Sequence, residues 1–221
     1  MNCVNSHCEK AGGLGMLIHS DIENIRTYFR IINNMLINEM LCFEDKSINL
    51  DTNIHLTTIE NICDDDYDEY WMLTEFFPNF HTKSVFVSIY SYLESKMRQL
   101  AILVEDSFPA PTALDDLSGG DFDRIREYFT KIQHLPLKSD STFQRTNIFR
   151  KVRNIIVHNN SRLNSSKNAE AVTRFAIKNP DIISIDEFRC LHINNKCNLD
   201  FLNVVEKYLC NLVLMINTLN S

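Results

Sequence analysis

Glycine and proline are scarce in this sequence, with five of each in 221 residues. Collagen-like repeats, linker-like chains and turn-rich all-β folds use more of both, so these classes are disfavoured. The sequence also lacks a run of about 18 uncharged apolar residues, the length that crosses a membrane. Its start lacks the basic and apolar segments of a secretory signal. These absences predict a cytoplasmic protein with no membrane partner.

The seven cysteines form no CxxC pair, and their odd number does not suit a disulfide framework. We therefore expect reduced thiols. Two sets of Cys and His lie close in sequence: Cys3, His7 and Cys8, and Cys190, His192 and Cys197. Neither set has the spacing of a zinc module. The acidic run at 64–69 lacks the glycine and terminal glutamate of a calcium loop and predicts a solvated turn. The sequence thus predicts neither a metal nor another cofactor.

The pattern of apolar residues predicts helices. Apolar side chains recur at steps of three and four in five long segments: 14–43, 81–107, 122–134, 140–160 and 199–219. A shorter helix ends near Lys178, and residues 182–193 alternate and are β-branched, which indicates a hairpin. The predicted fold class is all-α, a helical bundle of about five long helices with a small extended or hairpin segment before the last helix.

One compact unit is expected, in which a helical extension over residues 1–75 packs on a main helical domain over 76–221. No Lys-Ser/Thr of a phosphate loop accompanies glycines 12, 13 and 15, so a flexible lead-in is expected there. Ser20 and Asp21 are an alternative start of the first helix. Residues 47–58 indicate a loop or short helix. The expected helix caps are Asp121, Asp140 or Ser141, and Asn198 or Asp200. Glu94 and Arg98 are four residues apart and can pair.

Basic residues are concentrated in one part of an acidic chain. The total charge is −7, yet residues 138–178 contain nine of the 22 Lys and Arg residues and only two of the 29 Asp and Glu residues. This tract has a net charge of +7 and leaves −14 on the remainder. A localised basic tract is the pattern expected of an anion or nucleic-acid site, and a solvated helix face is the alternative.

The tract contains a polar edge on the predicted helix 140–160. Asn154 and His158 are four residues apart and share one face, and Arg150 extends the same row. Arg153 lies beside that row, about 100° round from Asn154. A histidine in this position can act as general acid or base, because imidazole titrates near neutral pH. A forked arginine can bind a phosphate and stabilise charge on pentacoordinate phosphorus.

The segment Arg153-Asn154-Ile155-Ile156-Val157-His158 resembles the HEPN superfamily motif, an Arg followed by a polar residue and, four to six residues later, a His. The segment 90–101 is similar to the long first core helix of these domains, and the resemblance covers residues 80–219. It implies a metal-independent RNA endonuclease that acts in a toxin–antitoxin pair or in phage defence. Catalysis would fall to Arg153, Asn154 and His158. Contacts to RNA would come from the neighbouring residues Arg145, Arg150, Lys151, Asn159 and Arg162.

The resemblance also implies partners. In the family two subunits pair so that two motifs line one cleft, so we expect RNA and a second copy of the chain as partners, with an antitoxin or regulatory protein as a further one. In one branch a tyrosine two residues after the histidine is modified by the antitoxin. Asn160 occupies that position here, so control by that modification is not expected. The alternative function is a non-catalytic HEPN-like module that binds RNA or a protein.

Overall fold

The computed structural model describes residues 2–51, 64–137, 140–164 and 167–219, and there it is an all-α bundle with one small hairpin. The fold class is therefore confirmed. The helices are α1 (Asn2–Asp51), α2 (Asp64–Trp71), α3 (Phe77–Ser107), α4 (Asp121–Glu127), α5 (Ser141–His158), α6 (Lys167–Lys178) and α7 (Asn195–Thr218). Strands β1 (Ile183–Ile185) and β2 (Leu191–Ile193) pair antiparallel, as expected for 182–193.

The first helix is longer than its apolar pattern predicts, because α1 runs from Asn2 to Asp51 instead of 14–43. The flexible lead-in and the helix start at Ser20 are both wrong, since this stretch is continuously helical. Ile18 and Ile22 of α1 are fully buried in the common core. Packing of this kind overrides the low helix propensity of glycine. The segment 47–58 is helical as far as Asp51, and its remainder lies outside the described residues.

Residues 64–107 form one continuous helical run. The prediction of a solvated turn at 64–69 is wrong, because these residues lie in α2, where carboxylates favour the start of a helix. A π-helical turn, Met72–Phe76, follows α2 and leads directly into α3. Pro78 lies in the first turn of α3, directly after the π-helical turn, and does not interrupt the helical run, so α3 begins at Phe77 instead of residue 81.

Two of the predicted helix starts are displaced. Asp121 is the first residue of α4, and its N-cap is Gly120. Helix α4 gives way to a π-helical turn, Tyr128–Ile132, so the predicted helix 122–134 is only partly α-helical. Helix α7 begins four residues earlier than predicted, because the side chain of Asn194 accepts a hydrogen bond from the backbone N–H of Cys197.

The two residues predicted to cap the last helix are engaged elsewhere. Asn198 is buried and donates its side-chain N–H to the backbone oxygen of Thr82 at 2.9 Å. Asp200 accepts a hydrogen bond from Arg145 at 2.6 Å. Both side chains therefore tie α7 to neighbouring helices, α3 and α5, instead of closing its first turn.

An aromatic nucleus holds the central helices together. Phe86 of α3, Phe149 of α5 and Phe201 of α7 are each fully buried, and the ring of Phe149 lies 4.6 Å from that of Phe201. Phe86 contacts both rings, at centroid distances of 5.9 and 4.7 Å. Helix α1 packs on α3 and α7 and contributes Phe29 to the same core. The division of the chain near residue 75 stays a prediction.

None of the described helices is both long and apolar enough to cross a bilayer. The four cysteines whose side chains the structure describes, Cys42, Cys190, Cys197 and Cys210, are free thiols.

The start of α5 depends on its cap, and Asp140→Ala tests this. Asp140 accepts hydrogen bonds from the backbone N–H of Thr142 at 2.7 Å and from the side chain of Asn211 at 2.9 Å. We expect its loss to lower the free energy of unfolding by about 1–2 kcal/mol, measured by urea denaturation. Ser141→Ala, at the exposed neighbouring residue, is the matched control and should be close to neutral.

The same variant has a defined pH dependence. Burial alone would raise the pKa of Asp140, but the hydrogen bonds from Thr142 and Asn211 outweigh it and hold the pKa below its ordinary value. A lowered pKa stabilises the fold above the ordinary aspartate pKa, and this contribution is lost as the pH falls through the folded-state value. The difference between the wild type and Asp140→Ala should therefore shrink on acidification. A constant difference would contradict this role for the carboxylate.

Candidate active site

The end of α5 places His158 at the surface. The chain leaves the helix through Asn159, and Asn160 and Ser161 then adopt left-handed backbone angles, with φ of 47° and 64°. The backbone N–H of Ser161 returns to the oxygen of Ile155 at 3.1 Å, which closes the last turn. This confirms the predicted helix stop at 159–160. His158 is consequently exposed in the final turn of α5.

Arg153 connects the predicted catalytic residues. Its Nη1 lies 3.2 Å from Oδ1 of Asn154 and 3.3 Å from Nε2 of His158. A guanidinium group only donates, so Nε2 accepts and the ring proton of His158 is assigned to Nδ1. Nη2 of Arg153 makes no hydrogen bond to any part of the chain that the structure describes. The site therefore combines an imidazole that accepts from Arg153 with a guanidinium whose Nε is buried without a hydrogen-bond partner.

Two residues of α3 complete this site. The guanidinium of Arg153 lies 5.3 Å from the centre of the Tyr90 ring, a cation–π distance. Burial and the neighbouring Glu94 carboxylate raise the pKa of the Tyr90 hydroxyl. Burial also raises the pKa of Glu94, although the Tyr90 hydroxyl and the charge of Arg153 oppose this. Arg153 is thus held on an aromatic ring beside a half-buried carboxyl group.

Sequence reasoning missed both residues. Tyr90 is one of the apolar-pattern positions of the predicted helix 81–107, and the spacing of Glu94 predicts a pair with Arg98. Arg98 instead pairs with Asp115 at 3.7 Å and with Asp121 at 3.1 Å. The one available signal is the spacing of Tyr90 and Glu94, four residues apart on one helix face.

The raised pKa of Glu94 makes Glu94→Gln a test of this environment. A carboxyl group with a raised folded-state pKa binds its proton more tightly in the folded state. Its ionisation therefore destabilises the fold as the pH rises above the ordinary glutamate pKa. We expect Glu94→Gln to melt higher than the wild type at pH 8, with the two curves converging on acidification. A variant that is least stable at high pH would show that attraction to Arg153 outweighs the burial of the charge.

Two of the arginines predicted to bind RNA are already paired. Arg145 bonds to Asp200, and its guanidinium lies 5.5 Å from the Phe175 ring. Arg150 bonds to Asp123 at 2.6 Å and covers Phe122. Acidic residues of other helices therefore compensate part of the basic tract.

The remaining residues predicted to bind RNA lie around the end of α5. Lys151 is half-buried and Arg162 is exposed, and neither forms an ion pair with another described residue. Asn159 is the C-cap of α5, and its backbone oxygen accepts from the N–H of Arg162 at 2.9 Å. Lys138 and the side chain of Lys167 lie outside the described residues. Arg145 lies eight residues before Arg153, roughly 12 Å along the helix. His158 lies further along the same helix, so Arg145 is remote from it.

Among the described residues, one group has the composition of a metal site. Ligand atoms of His19, Glu23 and Glu206 lie within 4.8 Å of one another. Arg26 hydrogen-bonds to both carboxylates, however, and its guanidinium lies 2.8 Å from Glu206. A cation would have to displace this charge, so we interpret the group as an ion-pair cluster that fastens α1 to α7.

The Cys/His sets singled out in the sequence are not brought together as metal ligands in the part of the chain that the structure describes. His192 bonds to Asp186 at 2.9 Å, and burial raises the pKa of Cys197 to about 12, which disfavours the thiolate. The side chains of Cys3, His7 and Cys8 lie outside the described residues.

Comparison with protein-family models, with curated proteins and with solved structures finds no match. Functional inference for this chain therefore rests on its own residues.

Proposed function

We propose that this chain is a metal-independent RNA endonuclease of HEPN type. The observation that carries the proposal is the contact of Arg153 with both Asn154 and His158 at the exposed end of α5. Acid–base catalysis of RNA cleavage needs a proton acceptor beside a cation that holds the phosphate, and these side chains have that chemistry.

In the proposed reaction, RNA displaces Arg153 from Nε2 of His158, and Nε2 then takes the proton of a ribose 2′-hydroxyl. The 2′ oxygen attacks phosphorus, and the bond from phosphorus to the 5′ oxygen breaks. The leaving 5′ oxygen takes a proton from a second, protonated histidine, which gives a 2′,3′-cyclic phosphate and a 5′-hydroxyl end. Arg153 neutralises the charge that develops on the phosphate oxygens, and Asn154 orients the guanidinium that it contacts at 3.2 Å.

One copy of the motif supplies a single histidine, whereas the reaction uses both a base and an acid. The proposal therefore includes a homodimer in which two copies of Arg153 and His158 line one cleft. A role in a toxin–antitoxin pair or in phage defence, with an antitoxin or regulatory protein as partner, belongs to the same proposal.

The second candidate is a non-catalytic HEPN-like module that binds RNA or a protein. A specific observation favours it: Arg145 and Arg150 are paired with carboxylates, and Arg153 is stacked on Tyr90 and bonded within its own helix. Such contacts also suit arginines that only stabilise the bundle.

Incubation of the purified chain with transfer and ribosomal RNA separates the two candidates. Fragments on a denaturing gel and a mobility shift on a native gel are measured on the same samples. We expect fragments that accumulate with time. Retarded but intact RNA would support the binding module and contradict the endonuclease.

A further inference from the structure

A two-helix arm extends from the bundle. It consists of residues 30–43 of α1 and residues 68–80 of the run through α2, the π-helical turn and α3. The two segments are antiparallel, because Phe43 contacts Tyr70 at a centroid distance of 6.0 Å, whereas Phe29 stacks on His81 at 5.8 Å at the base. Phe29 is the last buried residue of α1 within the described side chains.

The arm is apolar but has no core of its own. None of the residues in 30–43 and 68–80 is buried. Five aromatic side chains are exposed by 39–63% on the second segment: Tyr70, Trp71, Phe76, Phe77 and Phe80. The ring of Phe76 contacts those of Trp71, Phe77 and Phe80 within 6.0 Å. On α1, Ile31, Met35 and Leu41 are about half exposed.

The exposed rings alone match the largest apolar patch of a typical monomer. An aromatic side chain presents roughly 150–250 Å², so the five rings together expose roughly 350–590 Å² at their observed fractions. The largest apolar patch of a typical monomer is about 300–600 Å² in total, and the apolar residues of α1 add to the rings. The sum approaches the roughly 800 Å² per partner of a standard protein interface.

The charge of the arm disfavours anionic partners. It carries one base, Arg30, and four acids, Glu39, Asp68, Glu69 and Glu75. A net negative charge repels RNA and anionic membranes. A second copy carries the same charge, but it offers an apolar face made of the same residues, which a two-fold axis buries on both sides.

The position of the arm agrees with this partner. Asn195, at the start of α7, bonds to Asn33 at the base of the arm and to Thr82 of α3. The hairpin that precedes α7 bonds to Ser161, three residues after His158, through the backbone N–H of Leu191. The arm therefore leaves the bundle at the end where α5 stops, the end that carries His158.

We propose that the arm is a dimerisation surface, on which two copies of the chain pair their arms into a four-helix arrangement. The exposed arm alone supports the interface. That the dimer forms a shared cleft rests in addition on the proposed endonuclease function. Pairing would cover the aromatic cluster and leave the two His158 side chains free.

Phe80→Glu tests the proposal. The measurement is the molar mass of the 221-residue chain, by light scattering as it elutes from a size-exclusion column. Phe80 is 63% exposed, so a charge there is compatible with the folded monomer but not with a buried interface. We expect the wild type to have twice the mass of one chain and the variant to have the mass of one. Phe188→Glu, which changes the same residue type at 73% exposure on the hairpin, is the matched control and should remain dimeric.

Met35→Glu, on the α1 side of the arm, should also halve the mass, and circular dichroism checks that each variant is folded. A monomeric wild type would overturn the proposal. A monomer that floats with phosphatidylcholine vesicles would indicate that the arm binds a lipid surface instead of a second copy. Dimeric forms of both arm variants would also overturn it. Dimeric arm variants leave the homodimer of the endonuclease proposal intact, so that outcome overturns the arm interface alone. A monomeric wild type that still cleaves RNA would contradict the shared cleft as well as the arm interface.

Discussion

Replacing His158 with alanine is expected to reduce RNA cleavage by about 10²–10⁴-fold, the usual contribution of a general acid or base. The side chain is exposed at the end of α5, and within the described residues its one side-chain hydrogen bond is to Arg153, at 3.3 Å. Its removal should therefore leave the melting temperature nearly unchanged. Initial rates on a defined RNA, with the wild type measured in parallel, give the fold-change.

His192→Ala is the matched control for this experiment. His192 is a partly exposed histidine that bonds to Asp186 on the hairpin, so its loss removes a surface ion pair of small value. We expect it to cleave at the wild-type rate. Equal rates for the wild type and His158→Ala would show that His158 is not the proton acceptor.

Arg153→Lys is expected to reduce cleavage by about 10²–10³-fold, comparable with the loss of one group that stabilises the transition state. Lysine keeps the charge but loses the planar fork that lies over Tyr90 and bonds to both Asn154 and His158. RNA binding should weaken much less than the rate, because the phosphate still meets a cation. The measurement is single-turnover cleavage together with a binding titration.

Arg150→Lys provides a matched control one helical turn earlier. Arg150 also stacks on an aromatic ring, Phe122, but its guanidinium is bonded to Asp123 instead of to the histidine. We expect a change in rate of less than tenfold. Equal losses in the two variants would indicate that both arginines act through stability or general electrostatics, and would count against a specific role for Arg153.

The sequence predicts those parts of the fold that depend on local pattern. The apolar period and the cap at Asp140 define α5, and the β-branched alternation defines the hairpin. The errors arise where tertiary contacts outweigh local signals. Buried Ile18 and Ile22 help hold α1 in helical form through its glycines, and Asn198 is drawn away from capping by the backbone of Thr82.

The candidate site divides in the same way. Arg153, Asn154 and His158 belong to one helix, so their contact follows from spacing alone. Tyr90, Glu94, Asp123 and Asp200 reach α5 from other helices, and no pattern within a single sequence pairs residues so far apart. The net charge of the tract consequently overstates its free positive charge, because carboxylates from α4 and α7 neutralise Arg150 and Arg145.

Mapping the cut ends after incubation of the wild-type chain with RNA in EDTA tests the proposed chemistry most directly. We expect cleavage to persist in EDTA, to give 2′,3′-cyclic phosphate and 5′-hydroxyl ends, and to fail at a linkage whose attacking ribose is 2′-deoxy. Cleavage that requires Mg²⁺, or that leaves 5′-phosphate ends, would contradict the roles assigned to His158 and Arg153.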